Sequence, residues 1–268
     1  MKGEFVGAPG GQLDAIPALS FDKGGTLVWE FERVYDRQAN IKQKGIYRAR
    51  LADGKLTGDL TVGGSVRQKF TGGRAPEIPD RDDGSWVKQK PVELLNGRDL
   101  SGWRVATPTR SLNEWQAKAG TLRNGSGKAP DIASDRRFWN FELHMEFRVA
   151  KHSNSGIGLR GRYEVQIYGD HGEPPSLHGN GALYSRIAPA VNATLPPDRW
   201  QTISIRLVGR TVTVVLNGKT LIDKREIEGL TAMATDPYED QPGPLMLQGD
   251  HGPVEFRKVT VTPLEKWN

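Results

Sequence analysis

Phe141-Glu142-Leu143-His144-Met145-Glu146-Phe147-Arg148 is the stretch that decides the fold class. Apolar and polar residues alternate without a break, which puts Phe141, Leu143, Met145 and Phe147 on one face of an extended strand and Glu142, His144, Glu146 and Arg148 on the other. A helix would scatter both sets around its circumference, so the segment reads as a strand with one face on a core. Downstream, Gln201 to Leu207 repeats the alternation, and Thr211 to Leu216 runs into Asn217-Gly218, a dipeptide that supplies the positive φ angles of a two-residue hairpin. Lys219 to Asp223 is the expected return strand. Near the C-terminus Val254 and Phe256 share one parity and Val259 and Val261 the other, so a bulge is expected around Arg257-Lys258.

Working outward, short runs of β-branched and aromatic residues broken by Gly, Asn, Asp and Pro fill the chain, with almost no helical period. The fold class is therefore all-β, a sandwich or barrel. Thr26 to Phe31, Gly45 to Leu51 and Lys55 to Thr61 read as strands, the last two joined by another hairpin dipeptide, Asp53-Gly54. The charged, turn-rich stretch Ala75 to Ser85 marks a boundary. The expected organisation is a small β region over 1–75, a linker over 76–90 and a sandwich over 91–268. No repeat of fixed period and no low-complexity tract interrupts it.

The chain has 268 residues and a formal charge of +5, with Lys and Arg dispersed among nearly as many acids. A nucleic-acid partner, which needs a basic stripe, is not expected. The absence of cysteine excludes disulfides, thiolate metal sites and a Cys nucleophile. No apolar run is long enough to span a bilayer as a helix. Met1 to Gly7 holds no apolar core of a signal peptide, so the chain is either cytoplasmic or lacks an export signal that its precursor carries.

Candidate chemistry comes from polar residues on strand faces. From Arg162 to Asp170 the parity gathers Arg162, Glu164, Gln166, Tyr168 and Asp170 on one side; on pattern alone this is the solvated face of an antiparallel sheet. His144, between Glu142 and Glu146, has a spacing that suits a metal ligand, although exposure is commoner for such a residue. His251 can act as base, acid or ligand, or simply bond backbone in its loop. Asn154 is placed to cap a turn or to reach a sugar hydroxyl. Gly156, Gly158 and Gly161 precede no helical pattern, so no phosphate loop and no nucleotide cofactor is expected. Trp103, Trp115, Trp139 and Trp200 are read as packing residues.

Several segments, in order, resemble one family. Val92 to Trp103 (VELLNGRDLSGW) is similar to the opening of the 3-keto-disaccharide hydrolases, a family first catalogued as a domain of unknown function. Asn154 to Ile167 (NSGIGLRGRYEVQI) resembles its central signature, followed by Gly181-Ala182-Leu183-Tyr184, the Asn217-Gly218 hairpin, and Leu247 to Gly252 leading to Phe256-Arg257. The likeness covers roughly residues 91 to 264, with an extra Gly249 inside the usual Leu-Gln-Asp-His-Gly order. Lys44 to Arg50 and Phe70 to Pro76 resemble the short β region that precedes the domain in some members.

The resemblance implies a concanavalin-like jelly-roll sandwich, a 3-keto-glycoside as carbohydrate substrate, and a periplasmic or secreted location. A ketone at C3 acidifies the C2 hydrogen, so a base can remove it, the enolate can expel the C1 leaving group, and water can add back. That route needs a tuned base and an electrophile near O3, for which a divalent cation would serve. The resemblance implies Glu164 as base or metal ligand, Arg160 as the cation on the enolate side, and His251 as a third catalytic group. Asn154, Gln166, Asp170, Tyr184 and Gln248 are the expected sugar contacts, and His144 with Glu164 the expected metal ligands. A carbohydrate-binding module without catalysis is the alternative. A two-carboxylate glycosidase built on Glu164 and Asp170 is disfavoured, because six residues of regular strand separate the two by roughly 20 Å. Oligomeric state is left open.

Overall fold

The computed structural model describes residues 4–7, 12–16, 19–36, 41–106 and 114–267. The chain divides into two compact units, Met1–Pro76 and Glu77–Asn268.

In the first unit, strands Leu19–Phe21, Leu27–Asp36, Ile41–Ala52, Lys55–Val62 and Ser65–Gly73 form a five-stranded antiparallel meander, beside a separate hairpin of Glu4–Gly7 and Gln12–Ala15. Asp53 (φ 51°) and Gly54 (φ 72°) form the tight turn their sequence announces. Trp29 stacks on Tyr47 with ring centroids 4.8 Å apart, and Phe70 meets both rings edge-on. Strand Ser65–Gly73 was not anticipated: only Val66 and Phe70 in it are apolar and large, so it shows no alternation of its own.

The second unit is a sandwich of two antiparallel sheets. The smaller sheet runs, in spatial order, Trp103–Val105, Ile132–Phe138, Gly243–Leu247, Asn154–Leu159 and Tyr163–Tyr168. The larger runs Trp115–Lys118, Thr121–Asn124, Val254–Lys266, Phe141–Val149, Gln201–Val208, Thr211–Leu216 and Lys219–Glu226, with Trp86–Lys88 and Val92–Glu93 also paired to Val254–Lys266. Among the described residues there is no α-helix.

The deciding alternation is realised: Phe141, Leu143, Met145 and Phe147 are buried in the shared core, facing Tyr163, Val165 and Ile167 of the smaller sheet. Burying each such side chain contributes about 1.5–3 kcal/mol. Asn217 (φ 49°) and Gly218 (φ 76°) turn the late hairpin. The parity slip is a bulge at Lys258 (φ 51°), where the pairing with Phe141–Val149 shifts between His144 and Glu146.

Residues 77–90, expected as a linker, are tied to the sandwich. Asp80 accepts hydrogen bonds from the Trp139 indole (2.7 Å) and the Asn140 amide (2.9 Å). Asp82 takes two guanidinium nitrogens of Arg206 at 2.8 and 3.0 Å. The turn-forming composition is real, but Asp80 and Asp82 anchor the segment to the sandwich rather than serve as solvated spacer charges.

Candidate active site

Glu164 lies on the outer face of the smaller sheet, yet it is only 3% exposed. Tyr163–Tyr168 is the last strand of that sheet, and two loops complete its edge. The Glu164 carbonyl accepts the Tyr184 N–H (2.9 Å), while Gln166 exchanges backbone bonds with Gly181 and Ala182. Along the same edge, the Glu164 N–H donates to the Thr231 hydroxyl (2.9 Å).

The opposite neighbour is glycine by necessity. Gly156 pairs with Gln166, and a Cβ there would lie 2.5 Å from Glu164 Oε1, so the missing side chain is the space the carboxyl occupies. Gly158, paired with Glu164, similarly leaves room for Met246 and Met233. Burial is the largest cause that raises the Glu164 pKa, to about 8, and the negative charges of Asp131 and Asp250 add to it.

Around Gly156 stand Asn154, two residues before it on its strand, Gln166 opposite, and Gln248, whose N–H donates to the Gly156 carbonyl (3.0 Å). The side-chain oxygens of Asn154, Gln166 and Gln248 are buried and find no hydrogen-bond donor among the described residues. Buried acceptors are normally satisfied, and leaving one unpaired costs about 1–3 kcal/mol, so a set of them on one patch marks a surface built for donors supplied from outside. Asn154 Oδ1 therefore caps no backbone N–H among the described residues, although its turn position allowed for that.

The Gly249–Gly252 loop brings Asp250 into reach of Glu164. The Asn124 amide donates to the carbonyls of Gly249 and Gly252, the Gly249 N–H donates to Asp131 (2.9 Å), and Asn124 Oδ1 accepts the Gly127 N–H (2.9 Å). A Cβ at Gly249 would sit 2.6 and 2.7 Å from the carbonyl oxygens of Pro130 and Ala129, so the extra residue is accommodated only as glycine. His251, half-exposed at the rim, pairs through Nδ1 with its neighbour Asp250.

Other expected site residues lie elsewhere. Arg160, on a left-handed turn (φ 53°), is fully buried with its guanidinium 4.1 Å from the Trp139 ring and bonded to the Gly209 carbonyl. Burial lowers its pKa to about 10, and it lies on the Tyr163 side of the sheet, so it does not reach the Glu164 face as an enolate-side cation. Asp170 organises a loop: its carboxylate accepts the Thr194 hydroxyl (2.6 Å) and the Asn180 N–H (2.9 Å). His144 bonds Ser204 (3.0 Å) on the outer face of the larger sheet. Sheets of a sandwich pack about 10 Å apart, so His144 and Glu164 point away from each other and cannot share a metal. Among the described residues no group of three His, Cys, Asp or Glu side chains is placed to hold one.

Tyr184 is brought to the site: burial and the charge of Glu164 both raise its pKa, and its ring lies 4.8 Å from that of His178. Trp103 and Trp115 are buried in the core, whereas Trp200 is held between Arg148 and Arg257. Asp131, Thr231 and Asn124 were missed by sequence reasoning. Each acts through bonds to backbone distant in sequence, which leave no local pattern.

Fold and site together define a two-sheet jelly-roll sandwich whose smaller sheet carries a buried, high-pKa carboxylic acid beside buried, unpaired amide oxygens. Residues 90–262 match the 3-keto-alpha-glucoside-1,2-lyase-like domain, and the chain belongs to that family. A 3-keto-disaccharide hydrolase from Bacteroides thetaiotaomicron is 34% identical over 74 residues, which are 25% of this chain and 26% of that protein. The match thus spans about a quarter of the relative's length. A Parabacteroides distasonis protein assigned provisionally to the glycosyl hydrolases is similar in structure, with 27% identity, a TM-score of 0.55, and coverage of 65% of this chain and 83% of that one. A second such P. distasonis structure, 20% identical with a TM-score of 0.55 over 65% of this chain and 94% of that one, shares the fold.

Proposed function

We propose that the protein cleaves the glycosidic bond of 3-keto-glycosides, with Glu164 as the base that removes the C2 proton. The observation that carries this reading is the Glu164 carboxyl itself, desolvated to a pKa of about 8 on the segment that bears the family signature, beside three unpaired amide oxygens. A base with a pKa near the working pH is well matched to a C–H acidified by a neighbouring ketone. The Glu164 carboxylate takes the C2 proton, the C–H electrons form the C2–C3 enolate, and the enolate expels the C1 oxygen to leave a 1,2-enone. Water adds to C1 while C2 regains a proton, which makes the overall reaction a hydrolysis. Asn154, Gln166 and Gln248 accept hydrogen bonds from the sugar hydroxyls, and the Tyr184 hydroxyl takes the enolate-side role that Arg160 cannot fill.

The test is release of p-nitrophenol from the 3-keto and the unoxidised p-nitrophenyl glucoside, with deuterium at C2 of the keto substrate and with a chelator in parallel. Release from the keto compound alone, slowed by C2 deuteration and lost in Glu164→Gln, is the expected result. Equal release from both glucosides would sink the elimination route, and binding of the keto sugar without release would leave a carbohydrate-binding module. Loss of activity with chelator would add a cation to the scheme.

A further inference from the structure

Two loops bond to the backbone of Glu164 along its open strand edge, and one side chain joins them. Ser185 takes a left-handed turn (φ 57°) directly after Tyr184 and sends Arg186 toward the other loop. There Arg186 Nε donates to the Glu228 carbonyl (3.1 Å), Nη2 to the Leu230 carbonyl, and Nη1 back to the Ser185 carbonyl (3.2 Å). The residue after Leu230 is Thr231, which accepts the Glu164 N–H, and the residue two before Arg186 is Tyr184, which donates to the Glu164 carbonyl.

We infer that Arg186 is a positioning residue for the proposed reaction, a clasp whose planar fork holds the Tyr184 and Thr231 loops together across the Glu164 edge. The inference rests on Glu164 as the base. Three separate carbonyls lie in the reach of one guanidinium, and a lysine ammonium, a single point of charge on a flexible stem, cannot span them in a fixed plane. A cation that served only by its charge would tolerate that replacement. With the clasp open, water reaches Glu164 and the stabilisation of its neutral form weakens.

The test compares Arg186→Lys, Arg186→Gln and Glu164→Gln with the wild-type chain. Both Arg186 variants should speed hydrogen exchange at the Glu164 and Tyr184 amides by about tenfold or more while amides of Phe141–Val149 keep their protection, which separates local opening from global unfolding. In both, kcat should fall about tenfold with a smaller change in KM, and the pH at which kcat/KM reaches half its plateau should move down. Wild-type behaviour of Arg186→Lys would overturn the clasp in favour of charge alone. Unchanged exchange, or faster exchange with unchanged kcat and pH profile, would overturn it too. Full turnover in Glu164→Gln would overturn the base assignment and the positioning role with it, whatever exchange shows.

Discussion

At pH 7 a carboxyl with a pKa of about 8 is mostly protonated, so the base form of Glu164 accumulates only as pH rises. We expect kcat/KM on a 3-keto-glucoside to climb through about pH 7–8 and level off above, since that parameter follows the free enzyme. Glu164→Gln should lower kcat by about 10²–10⁴. The same group sets a stability gradient. Its folded pKa lies above the ordinary 4.5, so its favourable contribution is complete below that value and is lost as pH rises through about 8. Thermal denaturation should show Glu164→Gln gaining on the wild type across that window, by on the order of 5 kcal/mol between pH 4 and pH 9. Gly156→Ala should keep the fold and cost about tenfold or more in kcat, because its methyl group takes the space of Glu164 Oε1. Glu164, Gln166, Asn154 and Gln248, named through the family signature, come together around Gly156, while the polar alternation alone suggested a solvated face. Arg160, named the same way, does not join them, because it follows the strand end on a left-handed turn and packs against Trp139.

Elements were read best where alternation is strict. Phe141–Val149, Gln201–Val208 and the Thr211–Glu226 hairpin follow from apolar parity and one turn dipeptide, and the bulge at Lys258 from a slip in parity. The edge segment Gly181–Tyr184 has no strand pattern, since its backbone bonds to Gln166 and Glu164 are set by the loop that carries it. One buried amide holds the Gly249–Gly252 loop at both ends. Asn124→Ala would leave the Gly249 and Gly252 carbonyls and the Gly127 N–H short of a partner, and denaturant titration should show a loss of about 2–4 kcal/mol. If Asp250 moves away with its loop, one of the charges that raises the Glu164 pKa recedes, and the pH profile should shift down in the same variant.

For the whole chain, the two compact units invite dissection. We propose that residues 77–268 fold alone and keep the activity, and that starting at residue 91 does not suffice. The shorter fragment loses Asp80 under Trp139 and Asn140, Asp82 on Arg206, and the strand Trp86–Lys88. It should be less stable by about 3 kcal/mol or more, read from the midpoints of two urea transitions. The closed edge of the smaller sheet carries a further consequence. An uncovered outer strand is a template on which a second molecule can add its own strand, and here the loops bonded to the Glu164 backbone are the same ones that shield Tyr163–Tyr168 from that fate. Cutting either loop back would therefore bare a sticky margin, so variants shortened there should self-associate, which light scattering would read.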